Sequence, residues 1–117
     1  MVHLKQNQYK RHQSTIKLWC FTKWDNCDII CADSIKIESA DVIASDKNQK
    51  IGFVFCSNKS KDFLKQQIIN CQQIYDKVIL VTNNLNDIDV QTINDNIGLI
   101  NISNAYGLGN VIQEIKT

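Results

Sequence analysis

The chain has 117 residues, 44% apolar and 21% charged, with a formal net charge of +1 at neutral pH. That length suits a single domain spanning 1–117, and the apolar content is too high for a disordered chain. Runs such as IGFVF and KVILVT are too short to cross a bilayer, and the basic start MVHLKQNQYKRHQ has no apolar stretch behind it, unlike a secretory signal. The expectation is a cytoplasmic domain with no membrane partner.

From Leu4 to Cys20 the chain carries no Gly or Pro, and Leu4, Tyr9, Ile16, Trp19 and Cys20 grow denser toward the end. This pattern predicts a helix docked by its C-terminal half, with its basic residues outward. CDIICA (Cys27–Ala32), SADVIAS (Ser39–Ser45) and IGFVFCS (Ile51–Ser57) are short and rich in β-branched residues, and their links predict an antiparallel meander. Ser60 is a candidate N-cap for a helix with the stripe Leu64, Ile68, Cys71 and Tyr75, and Asp62 falls in its first turn. KVILVT (Lys77–Thr82) reads as a central strand buried on both faces. The polar stretch NNLNDIDVQTINDN has room for a helical turn or two. After it come a strand at Gly98–Ser103, a glycine turn AYGLGN and a short edge strand, Asn110–Ile115. The order α-β-β-β-α-β-(α)-β-β is an α/β (α+β) fold, one mixed sheet with helices packed on it.

Charge is unevenly spread. Met1–Lys23 holds five cations and no acid (+5), Trp24–Asp46 six acids and one lysine (−5), and Lys47–Lys65 five cations and one acid (+4). An acidic stretch between two basic ones suits a cation site between phosphate-contacting surfaces, although ordinary solvated faces give the same pattern. Twelve Lys against one Arg, with 18 Ile, 13 Asn and no Pro, point to codon pressure in an AT-rich genome. The lysine count by itself therefore carries little functional weight.

The five cysteines are unevenly spaced and read as reduced core thiols. Cys27 and Cys31 share one face of a strand but stand about 13 Å apart at strand rise, too far for one metal ion. His3 and His12 have no acid near them in sequence and read as surface residues. GLGN lacks the strand–loop–helix context of a phosphate loop and reads as a turn.

Asp41 lies among Ala40, Val42 and Ile43, where a lone carboxylate is costly unless it is paired or binds a metal. An acid at a strand end facing solvent fits the pattern equally well. Glu38, three residues away, points to the opposite face of a regular strand. Phe53, Phe55, Ser57 and Lys59 share one parity, and Lys61 and Lys65 follow at the helix start. Asp41 facing a cluster that ends in Lys59 would suit metal-assisted phosphodiester chemistry.

On these residues the chain resembles a known family. SADVIASDKNQKIGFVFCSNKSKDFL, then YDKVILVT and DNIGLINISNAYG, are similar to the MmcB-like DNA-repair endonuclease family of the PD-(D/E)XK superfamily. The resemblance covers roughly Glu38 to Tyr106. It implies a restriction-endonuclease-like αβββαβ core, a Mg²⁺ or Mn²⁺ site on Asp41, and DNA as partner. The family's Glu-x-Lys falls on Phe55-Cys56-Ser57, so the second carboxylate and the lysine are missing there. A shift by two residues gives Ser57-Asn58-Lys59, which restores the lysine alone. A single carboxylate is a poor Mg²⁺ site.

Three readings follow. In the first, a nuclease-like domain with a decayed centre binds DNA, or a DNA-repair protein, through Lys59, Lys61, Lys65, Lys10, Arg11 and Lys17. In the second, an active Mg²⁺/Mn²⁺ endonuclease uses Asp41 as metal ligand, Lys59 to position water and Ser57 to assist. In the third, the domain binds a protein partner and no nucleic acid. Nothing in the sequence marks an oligomer interface.

Overall fold

The computed structural model describes residues 2–84, 97–105 and 109–116. Among them the chain forms α1 (Val2–Lys23), β1 (Asp28–Cys31), β2 (Val42–Ser45), β3 (Lys50–Phe55), α2 (Lys61–Ile74), β4 (Lys77–Thr82), β5 (Ile97–Ala105) and β6 (Gly109–Lys116). The six strands form one sheet in chain order. β1, β2 and β3 pair antiparallel, β3, β4 and β5 pair parallel, and β6 returns antiparallel to β5. α2 is the crossover that parallel pairing of β3 with β4 requires. The fold is α+β, as the sequence predicts: a six-stranded mixed sheet flanked by two helices. Residues 85–96, where the sequence leaves room for a helical turn, and 106–108 of the glycine turn lie outside the described residues. Among the described residues no helix is long and apolar enough to cross a membrane.

The sheet buries both faces. Ile51, Phe53, Phe55, Ile79 and Val81 point to one side and pack with Ile16 and Cys20 of α1. Their neighbours Val54, Val78 and Leu80 point to the other side and pack with Ile68 and Cys71 of α2 and with Tyr75. Two buried faces explain why β3 and β4 are apolar at nearly every position rather than alternating. Each such side chain contributes about 1.5–3 kcal/mol on full burial. α2 starts as expected: Ser60 Oγ accepts from the Phe63 amide at 3.1 Å, and Asp62 sits in the first turn. None of the five cysteines is in a disulfide.

Of the boundaries that differ from the sequence reading, three bear on Asp41. α1 continues to Lys23 and is held along its N-terminal half too, because Tyr9 and Gln13 both bond to Asp41. β2 starts at Val42, one residue past Asp41. Pairing still extends through Asp41, whose N–H donates to Phe53 O at 2.9 Å and whose carbonyl accepts from Ala32 N at 3.0 Å. β3 ends at Phe55, so strand parity does not orient Ser57 or Lys59. Asn58 instead turns the chain at φ 63°, a left-handed conformation that Asn tolerates better than most residues. That turn returns Lys59 toward Asp41.

Candidate functional site

Asp41 and Lys59 form a buried ion pair at the C-terminal end of β3. Lys59 Nζ donates to Asp41 Oδ2 at 2.6 Å, and the two side chains, Lys59 and Asp41, are 2% and 1% exposed respectively. The Phe55 amide donates to the same oxygen at 2.8 Å, and the Tyr9 hydroxyl donates to Oδ1 at 2.6 Å. Lys59 Nζ also donates to Gln67 Oε1 at 2.7 Å. Gln67 in turn donates to the carbonyls of Ser39, at 2.8 Å, and Lys36, at 3.1 Å. The chain Tyr9–Asp41–Lys59–Gln67 therefore ties α1 on one face of the sheet to α2 on the other.

A buried ion pair is tolerable only when further hydrogen bonds meet its remaining lone pairs and protons, and both partners here have them. Burial lowers the Lys59 pKa below the ordinary lysine value, and the Asp41 charge and hydrogen bond oppose that shift. The Tyr9 phenol is pushed well above its usual range, first by burial and then by the neighbouring carboxylate. Tyr9 therefore stays a hydrogen-bond donor throughout the physiological range.

The metal site that the family resemblance implies does not fit this arrangement. The Lys59 ammonium already sits against Asp41 Oδ2, and Tyr9 occupies the other carboxylate oxygen. Phe55 offers only its amide, and Ser57 bonds with Asn83 at 3.1 Å instead of facing Asp41. Among the described residues no group of three His, Cys, Asp or Glu side chains could hold a metal ion. Glu38 is exposed.

Beside the pair lies an open cleft of about 450 Å³ between α1, the β1–β2 connection and the end of β3. Tyr9, His12 and Phe55 form its aromatic wall, and Lys10, Ser34 and Asn58 lie on its lining. The Tyr9 ring meets Phe55 edge-on at 5.5 Å, and the His12 ring does so at 6.2 Å. His12, expected at the surface, is thus half-buried. Its pKa is lowered from the usual 6.5, first by burial and then by Arg11. Asp41 and Lys59 do not line this cleft, and Tyr9 stands between it and them.

The residues assigned to nucleic-acid contact fall into three groups. Lys59 is enclosed and is not a surface cation. Lys10, Arg11 and Lys17 are exposed on α1, while Lys61 and Lys65 are exposed on α2. The two helices pack on opposite faces of the sheet, so these cations do not make one continuous stripe. Sequence reasoning missed Tyr9, Gln13, His12 and Gln67. The signal for two of them was readable: Gln13 falls on the buried stripe with Ile16 and Cys20, and Gln67 on that with Leu64, Ile68 and Cys71. A polar residue in an apolar stripe must bond to something inside. Comparison with protein-family models, curated proteins and solved structures gives no match to this chain.

Proposed function

We propose that this domain binds nucleic acid, on the plan of a restriction-endonuclease-like nuclease of the DNA-repair kind whose catalytic centre has become structural. The observation that carries the reading is the sealed Asp41–Lys59 pair. An aspartate just before β2 and a lysine just after β3 converge, as a nuclease of that plan would need. The lysine then fills the cation position itself, and no second carboxylate joins it. The order α-β-β-β-α-β supports the same reading, as do the exposed cations at this end of the sheet. Lys10 lines the cleft, Arg11 adjoins it, and Lys61 opens α2 three residues beyond Asn58 on the cleft lining. Lys17 lies about 10 Å further along α1 than Lys10 at helical rise, and Lys65 one turn into α2, so both contribute less. Lys59 contributes nothing to the contact surface.

The test is fluorescence anisotropy with labelled DNA over a salt series, on the unmodified chain and on Lys10→Ala/Arg11→Ala. Binding is expected at low salt, and the double variant should flatten the salt dependence by roughly two units of slope, about 0.9 per lost phosphate contact. Absence of binding at low salt removes this reading and leaves a module that binds a protein partner. Calorimetric titration with Mn²⁺ checks the centre. Saturable binding that Asp41→Ala abolishes would replace the structural reading with an active endonuclease.

A further inference from the structure

The Asp41–Lys59 pair is closed, but the cleft beside it is open, and its chemistry is specific. At about 450 Å³ it falls in the lower part of the range of roughly 300–1,000 Å³ typical of small-molecule sites. It holds one or two small units and cannot admit a duplex. The cleft opens at the carboxyl end of β3, where β3 runs parallel to β4, the side of such sheets on which ligands generally bind.

We propose that this cleft receives one unstacked nucleotide of a single strand, its base against the aromatic wall and its phosphate at Lys10. Tyr9 and His12, each set edge-on against the nearly buried Phe55, supply aromatic ring surface against which a base can pack. Ser34, Asp33 and Asn58 at the rim supply donors and acceptors for base edges. Lys10 and the adjoining Arg11 supply the charge for the flanking phosphates. Tyr9 cannot swing away, because its hydroxyl is anchored on Asp41 at 2.6 Å. The sealed pair thereby holds the wall of the cleft rigid. Because Asp41 and Lys59 stay behind Tyr9, the unit is bound but meets no catalytic group. The inference deepens the nucleic-acid reading by naming the form bound, a single strand or a frayed end.

Two measurements separate the inference from the reading beneath it. Anisotropy compares a labelled 12-nucleotide single strand with a blunt duplex of the same length, on the unmodified chain and on Ser34→Trp. Ser34 is exposed, and an indole there would fill the cleft without disturbing the core. The expected result is at least about fivefold tighter binding of the single strand, lost in Ser34→Trp while duplex binding is unchanged. Equal binding of both forms, unaffected by Ser34→Trp, overturns the cleft assignment and leaves nucleic-acid binding in place. If neither DNA binds, the broader reading fails. Calorimetry with deoxynucleoside monophosphates then decides the cleft alone: saturable binding removed by Ser34→Trp upholds it, and no binding overturns it. Matching denaturation midpoints for the two chains confirm that the variant is folded.

Discussion

Lys59 Nζ and Asp41 Oδ2 meet at 2.6 Å, and neither side chain has more than a trace of contact with solvent. Each is the other's charge partner, so removing one leaves an uncompensated charge in the interior. Asp41→Asn should destabilise the fold by about 3–5 kcal/mol, and Lys59→Met should also be costly, although Tyr9 and the Phe55 amide continue to bond the carboxylate. The double variant Asp41→Asn/Lys59→Met should be markedly more stable than the sum of the two losses predicts. Urea denaturation of the four proteins measures this coupling. Additive losses would show that the two groups do not act as a pair.

Alkaline pH should weaken the fold from about pH 9 upward. Burial, with help from Cys27 and Cys31, raises the Cys20 thiol from 9.0 to about 12. Burial, with help from Asp41 and against Lys59, raises Cys71 to about 11. Above pH 9 the unfolded chain loses these protons while the folded chain keeps them, so stability falls by about 1.4 kcal/mol per pH unit for each thiol. Tyr9 and Tyr75, both raised chiefly by burial, add to the fall above pH 10. Lys59 acts in the opposite sense, since its lowered folded value makes stability rise with pH below 10.5. Cys31 is raised by burial too, so five groups oppose Lys59 in this range and the net slope is negative. Denaturant midpoints between pH 8 and 11 should fall, and Cys20→Ala should make the decline shallower whatever its cost in packing. A flat profile in the unmodified chain contradicts the assignment.

Much of the fold was legible because its strongest signals are local. The apolar run KVILVT is β4 to the residue, and Ser60 with Asp62 marks the start of α2. That Asp41 faces a cluster ending in Lys59 was legible, but as a metal site; the sequence did not show that the lysine itself would be the partner of the carboxylate. The geometry that delivers the pair was not legible either. Parity places Ser57 and Lys59 on one strand face, yet the left-handed turn at Asn58 ends that rule and sends the two side chains to different places. Nor could the sequence bring Tyr9 to Asp41, 32 residues away, because that contact depends on how α1 lies across the sheet. The cleft is a product of the same long-range packing, so its lining could not be read from any one segment.

His12 should titrate below 6.5, because its imidazole loses solvent against Phe55 and lies near Arg11. Arg11→Ala should move the midpoint upward without restoring the ordinary value, since burial is the larger cause. Protonating a half-buried imidazole favours the unfolded chain, so this group's share of stability is lost as pH falls through that window. NMR of the imidazole protons between pH 4 and 8, with His3→Gln to assign the signals, gives both midpoints. A midpoint at or above 6.5 in the unmodified chain would mean that His12 faces water.

Gly52 of β3 leaves no room for a side chain. A Cβ at that site would lie 2.5 Å from Tyr75 Cδ2, 2.9 Å from Cε2 and 3.1 Å from Ala40 Cβ. Tyr75 covers the glycine at the end of α2, and its hydroxyl accepts from the Ala40 amide at 3.2 Å. Gly52→Ala would push the ring aside and loosen that bond, leaving a buried N–H without its partner. The expected loss is about 1–3 kcal/mol from overpacking, with the conformational gain of Ala over Gly in a strand, about 0.5–1 kcal/mol, offsetting only part of it. Shortening the side chain tests the cause directly. In a Tyr75→Leu background the same Gly52→Ala change should cost much less, because the ring that it strikes is gone. Equal costs in the two backgrounds would place the strain elsewhere, and a neutral Gly52→Ala in the unmodified chain would show that the ring yields freely.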